Sequence, residues 1–272
     1  MKKALLAAVA LAAVGVVPGM AADLRTPAPV YKAPPPPAPV YSWTGCYLGG
    51  GFGYGMWNQE LTSTFSEEAV TVVQPDQPGS GPFTSQTTTA GGRGWLGTLQ
   101  VGCDYQLSGD WVIGAFGDWD FESLKGNPEL SDTPLFGHEK QTSAWAVGAR
   151  LGYLVLPQLL AFVSAGYTQA HFNSFELFYA DFGESAFEHV PSHTYHGWFI
   201  GTGYEYGLKW FPGLFWKTEY RYSQFSGVDL PVLFDNTADV DFFIHSKKFE
   251  QTIRSELVWR FNWGGGVVRA PY

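Results

Sequence analysis

Three histidines lie close together in the chain and could bind a metal ion or haem. His189, His193 and His196 fall within eight residues, and imidazole is a ligand for transition metals and for haem iron. The other interpretation is that they are polar residues of a surface loop, because a flexible loop does not hold ligands in a fixed geometry. Both interpretations stay open at this point, and we expect no bound cofactor.

The chain has two cysteines, Cys46 and Cys103, which are too few for a zinc site built on four cysteine or histidine ligands at the usual spacing. If two neighbouring antiparallel strands pair Trp57 with Gly92, the same register places Cys46 opposite Cys103. A cross-strand disulfide is then the hypothesis for an oxidising compartment. The alternative is two free thiols that face lipid as small apolar groups.

A hydrolase would need a nucleophile beside a base. The remote candidates are Ser164 and His171, on a segment whose two faces do not separate cleanly into polar and apolar. No strained nucleophile motif accompanies them. We therefore expect no catalytic activity, with a lipid A-modifying enzyme as the alternative.

Most of the charged residues recur at alternate positions in segments that predict β-strands. Between Phe249 and Trp263, charged residues occupy one parity and apolar or aromatic residues the other. Since side chains alternate across a strand, each such strand has an ionic face and an apolar face. The predicted ionic face holds seven acids and six bases, which are Asp104, Asp118, Asp120, Arg150, Glu205, Lys209, Lys217, Glu219, Arg221, Glu250, Arg254, Glu256 and Arg260.

Eight strands are predicted to carry these residues. They are Thr44–Trp57, Gly94–Leu107, Asp110–Phe121, Thr142–Val155, Leu159–Phe172, His196–Lys209, Leu214–Ser226 and Phe249–Trp263. Three connections are tight turns, and the other four are about 20 to 36 residues long. Long loops at one end and short turns at the other are typical of outer-membrane barrels. The predicted fold is all-β, an eight-stranded antiparallel transmembrane β-barrel with long extracellular loops and short periplasmic turns.

The ionic face is expected to point into the barrel. Glycine is abundant on that face, and an eight-stranded barrel is just wide enough to be filled by side chains. Buried ions must be paired, and the near-equal numbers of acids and bases allow this. Aromatic side chains near strand ends fit the membrane interfaces. An interior filled in this way has at most slight pore activity, whereas a proton- or ligand-responsive gate is the alternative.

The ends of the chain predict export. Residues 1–22 have a positive start, an apolar run and a small-residue cleavage site, as in a signal peptide. Residues 23–42 form a proline-rich periplasmic linker, residues 43–263 the barrel, and residues 264–272 a C-terminal tail. The linker is a spacer or a docking segment for peptidoglycan or another periplasmic partner. The formal net charge of −9 argues against nucleic acid as a partner.

Three short segments resemble a known family. Trp43–Gly50 (WTGCYLGG) is similar to the WTGFYVGG opening of small alpha-proteobacterial outer-membrane immunogenic proteins, also called opacity-type porin family proteins. Gly97–Tyr105 is close to GGQVGYNYQ, and Lys217–Tyr222 is close to AKAEYLY. The resemblance implies a Gram-negative outer-membrane barrel that supports the envelope, exposes loops at the surface and contacts outer-membrane lipid and lipopolysaccharide. Some members of the family are described as haem-binding, which keeps the histidine alternative open.

The chain departs from this family at two places. Cys46 and Cys103 replace aromatic residues, and the sequence continues beyond Phe261 to Tyr272. The alternating residues near the end would act as an insertion signal for the barrel-assembly machinery. They are Leu257, Trp259 and Phe261. Both termini are expected on the periplasmic side.

Overall fold

The computed structural model describes residues 42–64, 87–107, 109–130, 135–181, 183–237 and 239–261. The predicted signal peptide (1–22), the linker (23–42) apart from Ser42, and the C-terminal tail (264–272) lie outside the described residues. Within the described ranges, no helix is long and apolar enough to cross a membrane.

Twelve antiparallel strands form one sheet, which confirms the predicted all-β class. They are β1 (Gly45–Thr64), β2 (Thr87–Gln106), β3 (Trp111–Gly126), β4 (Leu135–Gly137), β5 (Glu139–Leu156), β6 (Leu159–Phe172), β7 (Phe175–Tyr179), β8 (Ser185–Val190), β9 (His193–Gly207), β10 (Leu214–Phe225), β11 (Val228–Phe234) and β12 (Val240–Phe261). Strand pairing runs β1–β2–β3–β5–β6–β9–β10–β12, and β12 pairs back onto β1. The sheet is therefore a closed barrel, because this ring of pairings has no free edge.

Four short strands extend the sheet beyond the ring, so the sheet has more strands than the eight that were predicted. Pairing continues from β12 to β11, β8, β7 and β4, and we call these four strands the collar. All four lie in segments predicted as loops. At the far side of the collar, Phe136 of β4 forms a bridge with Glu129, whose carbonyl accepts a hydrogen bond from Thr88 Oγ1 of β2 at 3.1 Å. The collar thus returns to the barrel wall at the end that carries the long connections.

The interior contains two apolar clusters at different heights. The cluster at the turn end includes Trp43, Tyr47, Phe116, Phe199 and Phe215. The cluster at the loop end joins barrel residues to collar residues, and it contains Trp57, Leu61, Leu124, Leu130, Leu135, Ala144, Ala170, Phe172, Leu177, Ala186, Val190, Tyr195, Phe225, Leu230, Val232, Phe242 and Ile244. Collar side chains therefore pack into the top of the barrel, where they exclude water from its mouth.

Large apolar and aromatic side chains cover the outside of the barrel. Leu99, Trp119, Val147, Ile200 and Leu257 are all exposed. A soluble protein would bury such residues, and a contiguous exposed belt of them is the surface that membrane barrels present to lipid. The ionic face lies inside, as predicted from the glycines on that face and the aromatic side chains on the other.

Candidate functional site: the charged interior

Two arginines and two carboxylates form a closed ring near the turn end of the interior. Arg150 Nε donates to Asp104 Oδ1 at 2.8 Å and its Nη1 to Glu205 Oε2 at 3.1 Å. Arg260 contacts the same two acids, with Nε to Glu205 Oε1 at 2.7 Å and Nη1 to Asp104 Oδ2 at 2.7 Å. Positive and negative groups alternate around the ring, so each buried ion has opposite charges on both sides.

Aromatic side chains support this ring of ions from the turn-end cluster. The Arg150 guanidinium lies 4.6 Å from the centre of the Tyr47 ring, and that of Arg260 lies 4.6 Å from the Trp43 ring. An arginine over an aromatic face is attracted to the negative charge of the π-system. The apolar cluster at the turn end and the ring of ions therefore pack directly against each other.

A second group of ions occupies the middle of the barrel. Arg221 binds Asp118 through both nitrogens, with Nη1–Oδ1 at 3.0 Å and Nη2–Oδ2 at 2.7 Å. Arg254 contacts Asp118 at 3.3 Å and Asp120 at 2.5 Å. The paired geometry of Arg221 and Asp118 is the strong two-point form of the interaction, and it fixes β10 to β3 across the interior.

Lys217 lies between the two groups of ions. Its Nζ is 2.9 Å from Glu219 Oε2, 3.1 Å from Glu256 Oε1 and 2.8 Å from Gln100 Oε1. Ser164 donates to the other oxygen of Glu219 at 2.9 Å. The ammonium group thereby donates hydrogen bonds to Gln100 and Glu256 and forms an ion pair with Glu219, so that it connects β2, β10 and β12.

Glycine leaves the space that these long side chains need. A Cβ added at Gly201 would meet Ser164 Oγ at 2.5 Å and Glu219 Oε1 at 2.8 Å, and one added at Gly114 would overlap the carboxylate of Asp104. Both positions face the interior. Sequence alternation of glycine with ions therefore reflects close packing inside a narrow barrel.

Twelve of the thirteen charged residues predicted for the interior are buried there, and Lys209 is the exception. Strand β9 ends at Gly207, and Lys209 is exposed in the following turn. The expectation for Lys209 was wrong because residue parity predicts a face only while the strand continues.

Three interior ions were missed because the barrel strands extend further than predicted at the loop end. Glu122 on β3, Glu139 on β5 and Lys248 on β12 are all buried. The parity of Glu122 matches that of Asp120, and the parity of Lys248 matches that of Glu250, so both could have been found. Glu139 lies before a bulge at residues 141–143, which reverses the parity along β5 and hides it from a sequence pattern.

Lys248 is held in an aromatic enclosure at the base of the loop-end cluster. Its Nζ lies 4.4 Å from the Trp57 ring, 4.2 Å from the Phe172 ring and 2.8 Å from Glu139 Oε2. Gln59 Oε1 accepts a further hydrogen bond from it. A fully buried ammonium requires such partners, and here they join β1, β5, β6 and β12.

Acids outnumber bases in the interior, which corrects the near-equal numbers predicted. The buried acids of the barrel strands number nine and the buried bases six: Asp104, Asp118, Asp120, Glu122, Glu139, Glu205, Glu219, Glu250 and Glu256 against Arg150, Lys217, Arg221, Lys248, Arg254 and Arg260. The excess includes Glu122, which accepts a hydrogen bond from Gln141 Nε2 at 2.5 Å. Neither Glu122 nor Glu250 forms an ion pair within the described residues.

The three clustered histidines do not converge on one point. His189, on β8 of the collar, lies 2.7 Å from Asp235 Oδ1. His193 packs its ring against Tyr195 at 5.0 Å on the inward face of β9, whereas His196 is exposed on the outward face. In the described parts of the chain, no group of three histidine, cysteine, aspartate or glutamate side chains is arranged to hold a metal ion.

One carboxyl group of the collar has a displaced pKa. Burial, together with the negative charges of Asp241 and Asp235, raises the pKa of Glu188 on β8 to about 6. No hydrogen-bond partner contacts Glu188 Oε2 within the described residues. Glu188 is therefore an ionisable group of the collar that a change from pH 7 to pH 5 would affect.

The candidates for hydrolase chemistry lie on opposite faces of β6. Ser164 points inward to Glu219, whereas His171 points outward, where its Nδ1 lies 2.9 Å from Thr194 Oγ1. Residues 164 and 171 have opposite parity, so a regular strand cannot bring them together. This pair does not form a nucleophile–base arrangement.

The cysteines and the proposed insertion signal lie on the outward face near the turn end. Pairing of β1 with β2 places Cys46 opposite Cys103, in the register that also pairs Trp57 with Gly92, and a disulfide joins the two cysteines. The alternating residues at the end of β12 are exposed. They are Leu257, Trp259 and Phe261.

Comparison with known proteins finds relatives that are named as outer-membrane proteins. No protein-family model matches the chain. The 31 kDa outer-membrane immunogenic protein of Brucella melitensis is 31% identical over 268 residues, which cover 96% of this chain and 100% of that protein. The 25 kDa outer-membrane immunogenic protein of Brucella canis is 28% identical over 218 residues, 76% of each chain. Among solved structures, the outer membrane protein OprG of Pseudomonas aeruginosa is 8% identical, covers 82% of this chain and 100% of its own, and has a TM-score of 0.44.

Proposed function

Because the chain belongs to the family of the Brucella 31 kDa outer-membrane immunogenic protein, we propose that it is a structural surface barrel whose interior is closed to solutes. The protein is an outer-membrane β-barrel of Gram-negative type. The proposal adds that it supports the envelope mechanically and carries no substrate through its interior.

The filled interior is the observation that carries this proposal. An apolar cluster lies at the turn end, a layer of paired ions lies above it, and a second apolar cluster shared with the collar lies at the loop end. Side chains such as Trp43, Arg221 and Trp57, one from each layer, are fully buried or nearly so. A water-filled channel would leave the ions of its wall exposed, as in the wide lumen of a porin.

Conductance in planar lipid bilayers tests the closed interior. The refolded protein is expected to give no discrete openings, while a general porin in the same bilayer gives regular steps. A double variant, Arg221→Ala with Arg254→Ala, empties part of the ionic layer but leaves both apolar clusters, and it should also stay closed. Regular steps from the wild-type protein would overturn the proposal, and openings confined to the variant would show that the ions alone form the barrier.

Support of the envelope is tested in cells. A deletion strain is expected to become more sensitive to detergent and to large antibiotics, and expression of the intact protein should restore resistance.

We place both termini on the periplasmic side, because long connections of such barrels face outward. Surface proteolysis of intact cells should then cut within the long connections only, and cleavage at the turn containing Lys209 would reverse the orientation.

The partners follow from this location. We propose that outer-membrane lipid and lipopolysaccharide surround the barrel, that the barrel-assembly machinery recognises the alternating end of β12, and that the proline-rich segment serves as a spacer toward peptidoglycan. We propose neither haem capture nor catalysis, because His189, His193 and His196 are separated and Ser164 is turned away from His171. Haem capture would be supported if haem gave a Soret-band shift with the wild-type protein and none with a variant that lacks all three histidines. Catalysis would be supported if the deletion strain had an altered acyl pattern in its lipid A.

A further inference from the structure

Three cations lie side by side on the outward face of adjacent strands. Arg93 of β2 is directly opposite Lys125 of β3, and Lys125 is directly opposite Lys140 of β5. The first two side chains are exposed and the third is half-buried. We call these residues the basic row. Directly opposed positions on one face have Cβ atoms about 4.5–5.5 Å apart, so the three charges form a compact group.

The basic row lies just beyond the apolar belt at the loop end. The outward residues before it are aromatic, with Trp95 on β2 67% exposed and Phe121 on β3 58% exposed. On β3 the outward apolar residues run from Trp111 to Phe121, about 33 Å along the strand at ~3.3 Å per residue. With a strand tilt of about 40°, that length corresponds to a height of about 25 Å, the thickness of the apolar band of a membrane barrel. Lys125 is therefore at the boundary between lipid tails and headgroups.

Like charges in directly opposed positions destabilise a sheet unless a counter-ion lies beside them. None of the three basic-row side chains forms an ion pair within the parts of the chain that the structure describes. By contrast, Lys247 on β12, another outward cation at this end, has Glu60 of β1 directly opposite. Among the described residues the basic row is thus a group of cations without a counter-ion, at the depth where anionic headgroups lie.

We propose that the basic row binds the phosphate groups of a phosphorylated glycolipid, lipid A, in the outer leaflet. Arginine and lysine are the side chains that bind phosphate through charge-assisted hydrogen bonds, and lipid phosphates attract cations at a membrane surface. Trp95 and Phe121, directly below, offer an apolar surface to the acyl chains of the same lipid molecule. The proposal rests on the proposed orientation, in which the loop end faces outward, and does not depend on whether the interior is closed.

Binding of lipid A to the purified, refolded protein in detergent micelles tests this site. Native mass spectrometry would compare lipid A carrying both phosphates with the same lipid after both phosphates have been removed. The test variant is Lys125→Gln with Lys140→Gln, and the control is Lys209→Gln with Lys247→Gln, which removes the same number of charges elsewhere on the surface. Heat-modifiable gel mobility verifies that each variant is folded.

The wild-type protein should bind the phosphorylated lipid about tenfold more tightly than the dephosphorylated one, and the test variant should lose about tenfold in affinity. The control should stay within about twofold of wild type, because neither Lys209 nor Lys247 belongs to the basic row. Without lipid, the test variant should be at least as stable toward urea as the wild type, since it removes opposed like charges. This last result separates a lost binding site from a damaged barrel.

Three outcomes would overturn the proposal. The first is equal binding of the phosphorylated and dephosphorylated lipids by the wild-type protein, and the second is an equal loss of affinity in the control variant. The third is complete displacement of lipid A by an equal concentration of inorganic phosphate, which would identify an anion site with no preference for lipid. A conducting barrel would refute the closed interior and leave this test unaffected.

Discussion

Replacing Arg150 by methionine should strongly destabilise the barrel. The guanidinium contacts Asp104 through two nitrogens and Glu205 through a third, and all three side chains are buried. Methionine has a similar length but no charge, so Asp104 and Glu205 would share Arg260 as their remaining cation in the ring. Removing one partner of a buried ion pair costs about 3–5 kcal/mol, because the other charge stays buried without compensation. The loss should appear as a lower midpoint in urea unfolding of the protein refolded into lipid vesicles.

Two companion variants make this prediction specific. Lys209→Met removes a cation that is exposed in the turn after β9, and it should change stability by no more than about 0.5 kcal/mol. Adding Asp104→Asn to Arg150→Met removes a stranded charge and should restore about 1–3 kcal/mol of the loss, measured as a double-mutant cycle. If Arg150→Met and Lys209→Met cost the same, or if Asp104→Asn gives no recovery, the ring of ions does not stabilise the barrel as argued.

Three further predictions concern a bridge, a carboxyl pair and the collar. Cys46→Ala should lower the free energy of unfolding by about 4 kcal/mol, the value that the loss of chain entropy gives for a closed loop of this size, since the disulfide joins residues 57 positions apart. Thiol titration of the unreduced, denatured wild type should find no free thiol, and two free thiols would contradict the disulfide. Glu122→Gln should leave urea stability at pH 7 unchanged or raised by about 1 kcal/mol, because the amide oxygen can still accept from Gln141 and the change removes an acid without an ion pair; a loss above about 2 kcal/mol would contradict this. The pKa of Glu188 is raised to about 6, so its favourable contribution is complete below its usual pKa and is lost as the pH rises through 6. The collar should therefore resist proteolysis better at pH 5 than at pH 7, and Glu188→Gln should gain about 1 kcal/mol at pH 7 after allowance for solvent screening and reduce the difference in proteolysis between the two pH values.

The class of fold could be predicted because the sequence pattern that specifies a β-strand repeats every two residues. Alternation of ions and aromatic groups specifies a strand and its two faces at once, and β6 was predicted with the bounds that the structure has, Leu159–Phe172. The collar could not be predicted in this way. Strand β11 contains Pro231 and β8 contains Phe187 with a positive φ of 59°, and both features are typical of turns. These short strands depend on packing against the loop-end cluster, and not on a pattern of their own.

The interior could be predicted only as far as each strand was followed. Lys248 was assigned to a loop because the last strand was predicted to begin at Phe249, yet β12 begins at Val240, so that Lys247 faces outward and Lys248 turns in to Glu139. Lys209 shows the converse, since its parity matched Glu205 but its strand had already ended. A sequence pattern gives the face of a residue within a strand, whereas the position of the strand end depends on pairing with neighbours.

The two sides of the barrel wall use cations differently, and the difference indicates which charges serve the fold. Every one of the six buried cations contacts at least one carboxylate, so each interior cation has its counter-ion within the barrel. The basic row has three cations in register on the outside and no such partner among the described residues. The contrast between these two sets of cations is the reason for proposing that Arg93, Lys125 and Lys140, opposed at the lipid boundary, bind an anionic lipid.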